Sequence, residues 1–329
     1  MLIKQLRRFV KSSMFLLVFA VSAVFTGISS SAFAADKIIA VSFPNYSKQG
    51  SVITTLEQAK ARGAELGYKV ILTDPGTDLN KQVNTIKTWI QQKVPAIIAV
   101  TLNPDMFESI AKEARDAGIA WITYAGALQN QDATVGFVHY ENGFTLGEYG
   151  GRWINENLGD EARVVIFGYE KGDWGIRRAN GIRDGLRSQV PNANIVAEQD
   201  AISPSEGLNT MRTILQAHPD VNVLLSIEDP SAEGAYKAWV NSGRDPHDPK
   251  VFFGGMDGTP EALKLLRAGG TIYRASMAIP LSALGNAMAE LADDIINGRN
   301  QGDRMVPMEL VTQKSPSAQR YLDEQGVTD

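Results

Sequence analysis

The sequence contains no cysteine and only three histidines, which excludes or disfavours several kinds of chemistry. Without cysteine there is no disulfide, no thiol nucleophile and no cysteine-ligated metal site. His139, His218 and His247 have no second histidine or carboxylate at a metal-ligand spacing, so we expect no metal and no other cofactor. The sequence also lacks GxSxG, HExxH and Walker A motifs, which are frequent signatures of hydrolases and nucleotide-binding proteins.

Residues 1–34 are typical of a cleavable secretory signal. They begin with four basic residues, Lys4, Arg7, Arg8 and Lys11. The apolar stretch that follows, residues 14–25, is too short for a helix that crosses ~30 Å of hydrocarbon. Ala32, Phe33 and Ala34 then form an A-x-A cleavage signal. This order favours secretion over an amphipathic helix or a membrane anchor, and we expect cleavage after Ala34 and release into the periplasm.

The remaining 295 residues are acidic. Loss of the four basic residues, with no acidic ones, takes the formal net charge from −5 to −9. A charge of this sign disfavours nucleic acids and anionic membrane surfaces as partners. The length suggests about two domains, and no apolar run reaches the ~18 residues of a membrane span. We expect a monomer that binds no nucleic acid.

Short apolar runs alternate with longer amphipathic segments. The apolar runs are largely continuous, as in strands buried on both faces of a parallel sheet: residues 37–43, 69–73, 95–101, 120–124, 163–168, 194–198, 221–227, 250–256 and 271–276. Apolar residues recur at helical spacing in residues 51–66, 80–93, 106–117, 142–157, 175–188, 206–217, 231–240, 260–268 and 280–297. The strand–helix units are too many for one small sheet. The alternation therefore predicts an α/β fold of two doubly wound parallel-sheet lobes.

The carboxyl ends of the predicted strands carry the candidate binding residues, because ligands of open parallel sheets bind there. These positions are rich in aromatic and polar side chains: Phe43, Asn45, Tyr46, Asn103, Tyr124, Trp174, Glu228, Asp229, Met256 and Asp257. Each aromatic residue alone is compatible with core packing. As a set they suggest a stacking clamp for the apolar face of a sugar ring. Trp121, inside an apolar run, is expected in the core.

Several short motifs follow one another in a distinctive order. They are an apolar strand and a polar, aromatic loop at residues 38–50, Leu66-Gly67-Tyr68, Asn103-Pro104, Arg178 three residues before Gly181, HPDV at residues 218–221 and GMDGTP at residues 255–260. In this order the chain resembles periplasmic sugar-binding proteins of the ribose-binding type, the type I solute receptors of ABC importers. The resemblance implies two lobes joined by a three-segment hinge. The first lobe would comprise residues 35–140 and 279–309, and the second residues 141–278 and 310–329.

Some positions depart from the usual pattern of that family. Ala125 and Gly126 stand where an aspartate and an arginine are usual, and Glu228 stands in place of an asparagine. Ala278 replaces a glutamine, and Ile202 replaces a phenylalanine. We therefore expect the family's scaffold with a ligand other than ribose.

The resemblance implies that Arg178 and Asp257 contact the ligand. A guanidinium can donate two hydrogen bonds to neighbouring hydroxyls, and a carboxylate can accept two. Asp257 could instead cap the helix that follows it. Of Glu228 and Asp229, one is expected to face the ligand and the other to cap the next helix. Because carboxylates outnumber cations, the site suits a neutral monosaccharide, polyol or small glycoside and disfavours sugar acids and sugar phosphates.

These features favour a receptor without enzymatic activity, which closes two lobes on one ligand and presents the closed form to an ABC permease. Two alternatives remain open. One is a secreted glycoside hydrolase that pairs Glu228 with Asp257 or Glu141, since glycosidases need two carboxyl groups ~5–9.5 Å apart. The other is a ligand sensor for a chemoreceptor or a histidine-kinase ectodomain. Glu141 is also a candidate ligand contact, and substitution of His139 is expected to be nearly neutral.

Overall fold

The computed structural model describes residues 37–124, 127–299, 302–313 and 315–327. The expected signal sequence and the departure from the family at Ala125 and Gly126 lie outside these residues. In the described part of the chain, no helix is both long and apolar enough to cross a membrane.

The first sheet is wholly parallel. Its strands are β1 (Ile38–Ser42), β2 (Lys69–Thr73), β3 (Ala96–Ala99), β4 (Ala120–Thr123), β5 (Ala133–Phe137) and β11 (Arg304–Val306), in the order β11-β5-β4-β3-β1-β2. The helices on its faces are α1 (Gly50–Glu65), α2 (Leu79–Gln92), α3 (Pro104–Asp116) and α9 (Leu281–Ile296). Ile39 and Val41 pack on the side of α1 and α9, and Ala40 packs on the side of α2 and α3. Both faces are buried, which explains the continuous apolar runs.

The second sheet has the same design with one antiparallel edge strand. Its strands are β6 (Val164–Gly168), β7 (Ile195–Asp200), β8 (Val223–Ser226), β9 (Phe252–Asp257), β10 (Tyr273–Ala278) and β12 (Glu309–Thr312), in the order β12-β10-β9-β8-β6-β7. β12 runs antiparallel to β10. Its helices are α4 (His139–Asn157), α5 (Asp173–Gln189), α6 (Pro204–Ala217), α7 (Asp229–Asn241), α8 (Pro260–Ala268) and α10 (Pro316–Glu324). The predicted fold class is thus confirmed, and Trp121 is fully buried in the core as expected.

We call the parts built around the two sheets the first lobe and the second lobe, and the chain passes between them three times. The crossings lie between β5 and α4, at residues 279–280 between β10 and α9, and at residues 307–308 between β11 and β12. The resemblance places two of the boundaries between the lobes after residues 140 and 309. In the structure, α4 begins at His139 and packs mainly on α5, and Glu309 already pairs with Ala278 in the second sheet. Asn142 on α4 accepts a hydrogen bond from the Met308 amide at 3.2 Å, which ties two crossings together.

Candidate functional site

The second lobe contributes an arginine–carboxylate pair, with a buried arginine and a partly buried carboxylate, at the carboxyl end of its sheet. Arg178 on α5 is 4% exposed. Its Nη1 atom donates to Asp257 Oδ1 at 2.9 Å and to the Ile227 carbonyl at 2.8 Å. The guanidinium also lies over the Trp174 ring, 5.5 Å from the centroid, and Trp174 stacks on Tyr169. The predicted residues Trp174, Arg178 and Asp257 are therefore brought together.

Asp257 adopts a backbone conformation that favours glycine. Its φ angle is +102°. A non-glycine residue in such a conformation destabilises the folded state by about 1–3 kcal/mol, and residues of this kind cluster at functional sites. Asp257 is not the residue that caps α8. The Thr259 side chain accepts the capping hydrogen bond from the Ala262 amide at the start of that helix. The carboxylate of Asp257 is thus free to pair with Arg178.

Asp229 and Met256 lie inside the second lobe, so we no longer expect either to touch a ligand. The Asp229 carboxylate is fully buried and accepts hydrogen bonds from the Gly258 and Thr259 amides and from two hydroxyls, those of Tyr273 and Ser276. It thereby holds the loop that carries Asp257. Met256 is fully buried in the apolar core, because successive side chains of a strand point to opposite faces.

Glu228 is the third acid at this end of the sheet, and it is only partly buried. It precedes α7 but makes no side-chain cap hydrogen bond to that helix. Burial raises the pKa of the Glu228 carboxyl to about 8, and the negative charge of Asp257 raises it further, while Arg178 opposes the shift.

A row of aromatic rings runs from the first lobe to His139 at the start of α4, beside Arg178. The ring centroids of Phe43 and Tyr124 are 5.3 Å apart, those of Tyr124 and Phe137 are 6.0 Å apart, and those of Phe137 and His139 are 6.2 Å apart. Burial raises the pKa of the Tyr124 hydroxyl, and so does the charge of Asp257 in the second lobe. The aromatic row and the charged pair of the second lobe therefore lie close together, where the two lobes meet.

The loop after β1 is held by an acid that the motifs do not reveal. Asp74 accepts hydrogen bonds from the backbone amides of Asn45, Ser47 and Gly76 and from the Ser47 hydroxyl. Burial would raise the pKa of Asp74, but these hydrogen bonds outweigh it and lower the pKa to about 2. Asn45, with a φ angle of +57°, is thereby fixed in the left-handed region. Its neighbour Tyr46 packs against the core, partly buried.

Two further predicted residues lie at the ends of helices. Asn103 is exposed in front of α3 and makes no cap hydrogen bond with its side chain. Glu141 is exposed in the first turn of α4. Their contact with a ligand remains a prediction.

His139, whose substitution the sequence predicts to be nearly neutral, lies beside Arg178. Its Nδ1 atom is 3.4 Å from Arg178 Nε. Burial lowers the pKa of His139 to about 4, and the charges of Arg178 and Arg177 lower it further, so the ring is neutral at pH 7. Since Arg178 Nε can only donate, Nδ1 accepts and Nε2 carries the proton. No local sequence pattern reveals this contact, because the two residues lie 39 positions apart in the chain.

This contact changes the expectation for His139. We expect His139→Ala to weaken ligand binding by about 1 kcal/mol, because the guanidinium loses one hydrogen-bond acceptor. His218→Ala is the matched control, since His218 lies at the far end of α6. Calorimetric dissociation constants for both variants provide the test. Equal affinities would show that His139 does not help to orient Arg178.

The described residues contain no group of three acidic or histidine side chains that could hold a metal ion. The donors and acceptors at the site are instead arranged around one guanidinium, with aromatic faces opposite. Such a site can hydrogen-bond a polar ligand and stack its apolar face.

Residues 39–300 match the family model described as periplasmic binding protein domain. The chain belongs to this family. The resemblance inferred from the motifs is therefore confirmed, and the location implied by the family is the periplasm.

Curated relatives are about one-quarter identical to this periplasmic binding protein. The ribose import binding protein of Bacillus subtilis is 28% identical over 261 residues, which cover 78% of this chain and 80% of that protein. A D-apiose import binding protein of Paraburkholderia graminis is 28% identical over 248 residues, 75% of this chain and 77% of its own length.

Solved structures share the fold at lower identity. An ABC transporter solute-binding protein from Bacillus halodurans with bound myo-inositol superposes with a TM-score of 0.72 at 22% identity, covering 88% of this chain and 98% of its own. An ABC transporter solute-binding protein from Actinobacillus succinogenes with bound D-allose superposes with a TM-score of 0.73 at 23% identity, covering 87% of this chain and 100% of its own.

Proposed function

We propose that this chain is a periplasmic receptor that closes its two lobes on one neutral sugar or polyol and delivers it to an ABC permease. The observation that carries the proposal is that the Arg178–Asp257 pair of the second lobe lies close enough to Tyr124 of the first lobe for both charges to act on its hydroxyl, while Tyr124 packs against Phe43. A sugar presents hydroxyls at its rim and C–H groups on its faces, so it needs both kinds of partner at once. The relatives named for ribose and D-apiose import support this class of ligand.

The charges at the site favour a neutral ligand. Arg178 is already paired with Asp257, and the charges of Asp257 and Asp229 already act on Glu228. An anionic sugar acid or sugar phosphate would therefore meet like charges in a partly desolvated cleft. A neutral polyol would meet carboxyl acceptors for its hydroxyls without that repulsion. The chain would act as a monomer with one ligand, after export through residues 1–34.

The geometry does not favour a glycoside hydrolase. Glu228 lies just after β8 and Asp257 is the last residue of the adjacent strand β9, so both lie at the same end of the same sheet. A glycosidase instead places its two carboxyl groups on opposite sides of the scissile bond. We therefore propose a receptor without enzymatic activity, and product analysis after long incubation with glycosides tests that point. A chemoreceptor or a histidine-kinase ectodomain could recognise the same closed form.

Thermal unfolding across a ligand panel should identify the ligand class. D-Ribose, D-apiose, D-allose, myo-inositol, hexoses and disaccharides form the panel. A true ligand at 100 times its dissociation constant should stabilise the native state by about 2.7 kcal/mol and raise the melting temperature accordingly. The Arg178→Ala variant should lose this rise. If no member of the panel raises the melting temperature of the wild type, the proposed ligand class is wrong.

A further inference from the structure

Two aspartates occupy equivalent places in the two lobes, beside the loop that follows the first strand of each sheet. Both lie at the carboxyl end of an edge strand, which is β2 in the first sheet and β7 in the second. Asp74 follows Thr73, the last paired residue of β2, and so lies at the position next to Phe43. Asp200 is the last residue of β7 and pairs with Gly168 at the end of β6.

Each aspartate accepts a hydrogen bond from the loop beside it. Asp74 accepts from the Asn45 amide at 2.8 Å, and from the amide and hydroxyl of Ser47 at 3.1 and 2.5 Å. The two carboxylate oxygens of Asp200 lie 3.1 and 3.2 Å from the Glu170 amide nitrogen. Asn45 and Glu170 are each the second residue after the one that faces the aspartate in the sheet, so the same backbone amide is held in both lobes.

The two loops carry aromatic rings of the candidate site. The loop after β1 contains Phe43, which begins the aromatic row, and Tyr46. The loop after β6 contains Tyr169, which stacks on Trp174 with ring centroids 5.6 Å apart. The guanidinium of Arg178 lies over that Trp174 ring. The aspartates are thus one step behind side chains that we expect at the ligand, where supporting hydrogen bonds fix the geometry of a site.

We propose that Asp74 is a positioning residue for ligand binding that acts through Tyr46, and that Asp200 is its weaker counterpart in the second lobe. This inference rests on the proposed sugar-binding function and refines it. Tyr46 lies between Asn45 and Ser47, so the carboxylate fixes the backbone on both sides of it. A loop that is already ordered loses less conformational entropy when the ligand binds, which raises affinity.

The difference in strength between the two aspartates follows from their contacts. Asp74 is partly buried and accepts from four donors, the fourth being the Gly76 amide at 2.8 Å. Hydrogen bonds to an ionised acceptor are stronger than those between neutral groups. Asp200 is exposed and accepts from one amide of its loop. We therefore expect the larger loss of affinity when Asp74 is replaced.

Calorimetry on the chain from residue 35 onwards tests the proposal, with D-ribose, D-allose and myo-inositol as probes. Asp74→Ala should raise the dissociation constant about tenfold, and Asp200→Ala about threefold or less. Asp78→Ala is the matched control. Asp78 also accepts a backbone amide, that of Lys81 at 3.0 Å, but it caps α2 and does not touch the loop after β1. This variant should lower the urea midpoint and leave the dissociation constant unchanged.

A double-mutant cycle separates positioning from a general structural role. In the Tyr46→Ala background, Asp74→Ala should weaken binding little further, because the side chain that Asp74 places is already gone. An aspartate that only stabilises the first lobe would weaken binding by the same factor in both backgrounds.

The outcomes separate this inference from the proposed function. An unchanged dissociation constant in Asp74→Ala, or an equal loss in the Tyr46→Ala background, overturns the role of Asp74 and leaves the receptor function intact. Asp74→Asn keeps one of the two acceptor oxygens and replaces the alanine variant if that one does not fold; wild-type affinity in Asp74→Asn also overturns the role. Failure of all three probes to bind the wild type would overturn the proposed function, and the role of Asp74 with it.

Discussion

Replacement of Arg178 by alanine should weaken ligand binding by about 2–5 kcal/mol, or about 30- to 5,000-fold in the dissociation constant. The side chain is almost fully buried and holds both Asp257 and the Ile227 carbonyl. Its removal leaves the Asp257 carboxylate without a cation and the ligand without its placed guanidinium. Titration calorimetry with a sugar that stabilises the wild type measures the loss.

The neighbouring arginine provides the matched control for this variant. Arg177 lies on the same helix, but its side chain is 63% exposed and pairs with Asp173 on the surface. Arg177→Ala should therefore bind like the wild type. Asp257→Ala should show a loss comparable to that of Arg178→Ala, because it removes the other half of the pair. Wild-type affinity in Arg178→Ala and in Asp257→Ala would mean that the pocket lies elsewhere.

Replacement of Gly181 by alanine should destabilise the folded protein by about 3 kcal/mol. Helices α4 and α5 approach so closely that a Cβ atom on Gly181 would lie 2.1 Å from the Tyr140 carbonyl oxygen. The contact is reciprocal, because a Cβ atom on Gly143 would lie 2.2 Å from the Arg178 carbonyl oxygen. Backbone atoms cannot move aside as a flexible side chain can, so the helices must separate.

Urea unfolding of Gly181→Ala measures this cost. Gly50→Ala is the control, since a Cβ atom there meets nothing within 4 Å, and we expect little change in its stability. Because Arg178 lies one helical turn from Gly181, the destabilised variant should also bind ligand less tightly. An unchanged urea midpoint would contradict the close packing of α4 on α5.

The sequence pattern predicts most strands and helices because both faces of each sheet are covered, so strands are continuous apolar runs. It misses β5, in which threonine and glycine interrupt the apolar residues, and the short strands β11 and β12. Helix α10 could have been recognised from Ser315 and Pro316, which form a typical cap and first position. The missed strands are fixed by pairing with distant segments, which no local pattern records.

Residues of the candidate site can be predicted where a short motif identifies them. They cannot be predicted where only a tertiary contact brings them to the site. Arg178 and Asp257 were singled out by short motifs, and the structure joins them. The inward position of Asp229 depends on its hydrogen bonds to the loop that carries Asp257. The position of His139 beside Arg178 depends on how α4 packs on α5. Both are tertiary relations between segments tens of residues apart. Position at a strand end therefore suggests a site residue without fixing the direction of its side chain.

The most direct test of the account is a calorimetric titration of the wild-type chain from residue 35 onwards with neutral sugars and polyols, with gluconate and ribose 5-phosphate as anionic controls. The account predicts one neutral ligand bound per chain and no measurable heat with either anion. Tight binding of an anionic control, with no response to any neutral sugar or polyol, would contradict it.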